Sequence, residues 1–242
     1  SLLPAVVFSF SKVKCDDLAS GLVNGLPEGS SLSSEAEVKE ACEFYEECVN
    51  GRLSEAERSL PQLLRVSALL RRGVGVHHSG MLPIVREMTE ILFSRNLIKV
   101  LLATETFAIG VNMPARCAVF NGIRKNDGRG FRELLPGEYT QMSGRAGRRG
   151  IDAHGVCIVA GDELYDAERL EKVMVGEPPR LSSHFGMTYS MLLNLARNEN
   201  NNGMRCKAMI HKSFLAHRAR MASRELGTVA SDLEEELNAL PI

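Results

Sequence analysis

The chain has 242 residues, 29 Lys and Arg against 30 Asp and Glu, with 44% hydrophobic and 24% charged residues. That balance excludes wholesale disorder and fibrous repeats, and the length suits one large α/β domain or one domain with an appendage. No apolar run approaches the ~20 residues needed to cross a bilayer, and the N-terminus lacks the basic stretch of a secretory signal. Six scattered cysteines with no C-x-x-C pair argue against structural zinc and for a reduced, intracellular setting. The chain opens without Met and enters a strand at once, which suggests a segment of a longer protein.

Along the chain, Ala5–Phe10 (AVVFSF) is an apolar, β-branched run and predicts a buried strand. Apolar residues at three- and four-residue spacing predict helices over Val13–Leu22 and Glu35–Val49, separated by the loop 25–34 (GLPEGSSLSS). Helix Leu63–Arg72, strand Val74–His77, helix Pro83–Arg95 and strand Lys99–Ala103 follow, and then strands Ala118–Asn121 and Gly155–Ala160. Pro83 stands where a helix's first turn tolerates proline. This strand–helix alternation predicts a parallel sheet flanked by helices, a three-layer α/β/α architecture, in which ligands gather at the carboxyl ends of the strands. After the break Asn198–Gly203 (NENNNG), 204–224 and 229–239 read as helices. The expected division is a main domain over 1–175 and a helical extension over 176–242.

Charge is unevenly spread. Residues 28–59 carry nine Glu against three Lys and Arg, whereas 121–150 carry seven Lys and Arg against three acids. Residues 204–224 carry six Lys and Arg and no acid, and the last 18 residues turn acidic again. Basic segments within a neutral chain are expected where one face meets a polyanion, although a merely solvated surface gives the same composition.

Two runs carry chemistry. In Gln141–Gly150 (QMSGRAGRRG) a helical spacing places Gln141, Arg145 and Arg148 on one face. There, two guanidinium groups form a fork matched to phosphate oxygens. Gly144 and Gly147 let a ligand or a neighbouring backbone come close. In Ala103–Pro114 (ATETFAIGVNMP) the hydroxyls of Thr104 and Thr106 stand at a strand's carboxyl end, suited to a nucleic-acid phosphate read without sequence. Gly110 permits close approach and Asn112 offers an amide. The adjacent His77 and His78 suggest a metal, but neighbours on a strand point to opposite faces, and no metal site is expected. Gly155–Glu163 (GVCIVAGDE) mimics a strand followed by a Mg²⁺-binding acidic pair, yet no G-x-x-x-x-G-K-[ST] occurs anywhere, so Asp162 and Glu163 read as loop.

ATETFAIGVNMP followed 27 residues on by QMSGRAGRRG resembles motifs V and VI of superfamily-two helicases, in the Ski-like branch of DExH-box RNA helicases. VVFSFSK (Val6–Lys12) resembles motif IV and HHSGMLP (His77–Pro83) motif IVa. LPQLLRVSALLRRGVGVHHSG, RKNDGRGFRELLPGEYTQM and RLSSHFGMTYSMLLNL resemble the exosome-assisting superkiller-type helicases and their nuclear relatives, so that the likeness covers roughly 4–215.

The resemblance implies the second RecA-like domain of such an enzyme, running into a winged-helix and arch region. It implies ATP in a cleft against a first RecA-like domain of the same polypeptide that supplies the Mg²⁺ ligands, RNA as substrate, the exosome and adaptor proteins as partners, no membrane, and a cytoplasmic (alternatively nuclear) location. Residue by residue, it implies that Arg145 and Arg148 face the γ-phosphate, with Arg148 as arginine finger, and that Gln141, Gly110 and Asn112 lie near the nucleotide. Ser9, Ser79, Gly80, Thr104 and Thr106 would touch RNA backbone. Arg124, Lys125, Phe131 and Arg132 belong to 122–135, the position of a strand-separating β-hairpin, for which Asn126–Gly128 is a credible turn. A non-catalytic RecA-like binding module and a DNA helicase of the same superfamily stand as alternatives.

Overall fold

The computed structural model describes residues 2–110, 113–128, 130–160, 165–177, 186, 188–197 and 202–239, and the chain divides into two compact units, Ser1–Pro179 and Arg180–Ile242. In the first unit the order is β1 (Ala5–Phe8), α1 (Lys12–Gly25), α2 (Glu35–Arg52), α3 (Glu55–Arg58), α4 (Pro61–Leu70), β2 (Val74–His77), α5 (Pro83–Ser94), β3 (Val100–Ala103) and α6 (Thr106–Gly110). There follow β4 (Cys117–Asn121), β5 (Arg124–Asn126), β6 (Phe131–Glu133), α7 (Pro136–Ser143), β7 (Val156–Ala160) and α8 (Ala167–Met174). Five strands form one sheet in the order β2-β3-β1-β4-β7, parallel at every pairing, while β5 and β6 make a separate antiparallel pair. The expected helix-flanked parallel sheet is therefore present.

The strands are short and apolar because both faces are covered. Val6 and Phe8 on β1, Leu101 and Ala103 on β3, and Ala118 and Phe120 on β4 are inaccessible to solvent. α1 lies against β2 and β3, and α4 and α5 against β2. α4 buries Leu63, Val66, Leu69 and Leu70, and α5 buries Val85, Met88, Leu92 and Phe93, the three- and four-residue stripe seen in the sequence. Starts are set locally. Ser11 caps α1, Ser34 and Glu37 form a reciprocal capping box on α2, and Pro61, Pro83 and Pro136 stand in the first turns of α4, α5 and α7.

The first strand ends at Phe8 rather than Phe10, because Ser11 already caps α1. In the second unit α9 (Tyr189–Arg197) packs on α10 (Asn202–His211), and α11 (Phe214–Ala239) follows. The break falls at 212–213 rather than within 225–228, because the Ser213 hydroxyl accepts from the Ala216 N–H and starts a new helix there. Among the described residues no helix is long and apolar enough to cross a membrane.

Candidate functional site

The strand order turns at β1, which has β3 on one side and β4 on the other, so the crevice beyond its carboxyl end is the natural ligand position of such a sheet. A cavity of about 340 Å³ opens there, lined among others by Ser9, Ser11, Lys14, Asn121, Arg124 and Phe131. Ser9 is 1% exposed and sits beside the buried Cys15 thiol, which bonds the Ser9 carbonyl at 3.8 Å. The N-terminus of α1 starts in the same cavity and favours an anion. On the neighbouring strand end, Thr104 is buried and its hydroxyl lies 2.9 Å from that of exposed Thr106.

Beyond β2, Ser79 and Gly80 form an exposed turn held from behind. His78 Nδ1 accepts the Gly80 N–H at 3.1 Å, and its Nε2 lies 3.4 Å from Asp16 Oδ2. Gln62 on α4 accepts from the Leu82 N–H at 2.9 Å and donates to the Gly80 carbonyl at 3.4 Å, and Arg65 ties α4 to Asp16 at 3.1 Å. His77 turns the other way, to Glu90 on α5 at 2.7 Å. The two histidines thus occupy opposite faces, and among the described residues no group of three ligands is placed to hold a metal ion.

The hairpin exists. Lys125 pairs with Arg132 across β5 and β6, Gly128 takes a left-handed φ of 89°, and its N–H bonds Asn126 Oδ1 at 2.8 Å. Phe131 is 71% exposed and Arg124 is exposed. Lys125 and Arg132 are instead turned to carboxylates. Lys125 Nζ meets Glu105 at 3.0 Å and Glu138 at 3.2 Å, while Arg132 takes both oxygens of Glu138 at 2.8 and 2.9 Å. The Arg132 guanidinium, with the Leu135 N–H and Lys125 assisting against partial burial, holds the Glu138 carboxyl down at about 2. Partial burial opposes the Lys125 charge, but the two carboxylates outweigh it and raise its pKa. These two cations fasten the hairpin to α7 and to the turn just before α6.

The arginines correct the sequence reading. The helix that carries Gln141, α7, stops at Ser143, so Gln141, Arg145 and Arg148 do not share one helical face. Gly144 closes the helix, Ala146 bridges in parallel to Ala115, and Gly147 adopts φ 93°. A Cβ on Gly155 would lie 2.4 Å from the Ala146 carbonyl oxygen, so the close approach that these glycines permit is one of backbone to backbone. This turn sits just before β4 and β7 begin, at the amino ends of the strands. The backbone of this turn therefore lies at the opposite end of β4, roughly 13 Å long, from the strand ends that lead into Ser9 and Thr104.

Arg145 donates to the Ala108 carbonyl of α6, tying the two long motifs together. Arg148 lines a cavity of about 430 Å³ with Arg95, Arg149, Asn96 and Met113. Its Nε and Nη2 bond the two oxygens of Asp152 at 2.7 and 2.9 Å. That pairing, foremost, holds the Asp152 carboxyl at about 2. Gln141 is exposed on α7 and Gly110 ends α6, whereas Asn112, Asp162 and Glu163 lie outside the described residues. Sequence reasoning missed Glu138, Asp152 and Gln62. The first two carried a signal, since Glu138 stands in the first turn after Pro136 and Asp152 four residues after Arg148.

Residues 42–150 match the helicase conserved C-terminal domain. Over 239 residues, 98% of the chain, it is 48% identical to superkiller complex protein 2 of Mus musculus, of which it spans 18%. It is 44% identical to the ATP-dependent RNA helicase mtr4 of Schizosaccharomyces pombe over 96% of the chain and 20% of that protein. To the exosome RNA helicase MTR4 of Mus musculus it is 41% identical over 99% of the chain and 22% of that protein. The chain thus spans about a fifth of the length of the curated relatives it matches.

Proposed function

We propose that the chain is a helicase C-terminal domain of the Ski-like DExH-box type, the second motor half of an ATP-driven RNA helicase that feeds RNA 3′ to 5′ into an exosome. The observation that supports this best is the placement of two anion-directed groups at opposite ends of one parallel sheet. Ser9, Thr104, Thr106 and the Ser79–Gly80 turn gather at the carboxyl ends, and the backbone turn that carries Arg145 and Arg148 lies at the amino ends. One end would hold RNA backbone, with Arg124 and Phe131 of the hairpin beside it. The other would meet ATP bound by a first RecA-like domain, which would also hold Mg²⁺.

The residues fit a polyphosphate. The cavity beside Arg148 is lined by three arginines, and Gln141 is exposed on the helix before it. Closure on ATP would bring Arg148 to the γ-phosphate, where arginine fingers contribute roughly 10³–10⁵ in rate. Arg145, bonded to α6, would transmit that closure to Thr104 and Thr106, and Gly110 and Asn112 would lie nearest the nucleotide. Greater identity to the superkiller-type relative than to the Mtr4 types supports a cytoplasmic member, with adaptor proteins and the exosome as partners.

The test is Arg148→Ala in the full-length helicase. ATP turnover is expected to fall at least 10³-fold with RNA affinity nearly unchanged, and equal loss of both refutes the assignment. Unwinding of RNA against DNA duplexes with 3′ overhangs decides the nucleic acid.

A further inference from the structure

Arg148 is held by Asp152 through three hydrogen bonds, two of them from its guanidinium. Asp152 Oδ2 accepts from the Arg148 backbone N–H at 3.0 Å and from Nε at 2.7 Å, while Oδ1 accepts from Nη2 at 2.9 Å. The carboxylate is nearly enclosed, its side chain 5% exposed, whereas the Arg148 side chain is 22% exposed. One turn of backbone, closed by the Asp152 N–H on the Arg148 carbonyl at 2.9 Å, fixes their spacing. The base of that turn is locked where Gly147 and Gly155 meet backbone to backbone.

A guanidinium has two usable edges. Asp152 takes the side edge, formed by Nε and Nη2, and leaves Nη1 and the outer hydrogen of Nη2 for a second anion. A carboxylate standing where a phosphate should go would instead be expected to take the end edge formed by both Nη groups.

We propose that Asp152 is a positioning residue for Arg148. It fixes the arginine's rotamer from behind and presents the end edge of the guanidinium to the γ-phosphate, so that little reorganisation is left for the moment of reaction. The proposal rests on Arg148 acting at the γ-phosphate. It assigns a role to Asp152 that neither the motif spacing nor the family resemblance supplied.

The experiment measures RNA-stimulated ATPase of the full-length helicase in a double-mutant cycle. Asp152→Asn keeps the shape and removes the charge. It is expected to lower kcat about 10–100-fold, as loss of an orienting partner does elsewhere, with KM for ATP and RNA affinity within about twofold. Arg148→Ala is expected to cost ~10³-fold or more, and the double variant to be no slower than Arg148→Ala alone. Asp152→Glu, which keeps the charge and moves the oxygens, should recover part of the loss.

A multiplied loss in the double variant, an unchanged kcat in Asp152→Asn, or a Glu variant no better than Asn would overturn the positioning role. Raised RNA-independent turnover in Asp152→Asn would overturn it too, in favour of a restraining latch. Arg148→Ala with wild-type turnover would instead sink the underlying assignment of the arginine.

Discussion

Replacing Glu138 by Gln tests what holds the hairpin. Lys125 and Arg132 stand directly opposite each other on β5 and β6, an arrangement that like charges disfavour. Glu138 reconciles them by accepting from both. Its carboxyl sits at about 2 against an ordinary 4.5. Taken whole, that displacement corresponds to about 3 kcal/mol. The Glu138 side chain is still 26% exposed, and screening by water reduces the contribution to about 1–2 kcal/mol.

The sign follows from a depressed carboxylate. The contribution is complete above pH 4.5 and disappears as the pH falls towards 2. Glu138→Gln is therefore expected to lower stability by about 1–2 kcal/mol at pH 7, a drop in Tm of about 2–4 °C for each kcal/mol. The gap from the parent chain should close as acid is added below pH 4.5. Urea titrations of both chains at a series of pH values provide the measurement. An unchanged midpoint at pH 7, or a difference independent of pH, would show that the network does not fasten the hairpin.

Two further perturbations address the ends of the sheet. Gly155→Ala puts a methyl 2.4 Å from the Ala146 oxygen and 2.8 Å from the Gly147 nitrogen. The expected cost is about 1–3 kcal/mol, together with a fall in ATP turnover of the full-length enzyme, read by denaturation and steady-state kinetics; a chain as stable and active as the parent would contradict the tight backbone contact. Gln62→Ala removes two of the side-chain bonds behind the Ser79–Gly80 turn, leaving that of His78, and is expected to weaken RNA binding severalfold in fluorescence anisotropy while KM for ATP stays put. Loss confined to the ATP side would show that the turn has no part in RNA binding.

Much of the architecture was legible in the chain because its causes are local. The β-branched runs, the apolar stripes of α4 and α5, and Ser11, Ser34 and Pro83 at helix starts each act within a few residues. The five-residue α6 and eight-residue α7 were harder to see, since neither is long enough to show a period. Order and spacing of the two long motifs were likewise readable, and they pointed to a phosphate-directed pair of arginines.

The paths of those arginines were not readable. Periodicity put them on one helix, but Gly144 ends it and the bridge from Ala146 to Ala115 takes over, a partner 31 positions away that no local rule supplies. The same holds for Ser9, brought to the crevice beyond β1 by a strand order that the sequence does not state, and for Lys125 and Arg132, basic in composition yet committed to Glu105 and Glu138. Residue types and their spacing were enough to expect a chain that handles phosphate. Which end of the sheet each charge faces, and which charges are already matched, was decided by contacts between distant segments, because an ion pair depends on distance in space rather than along the chain.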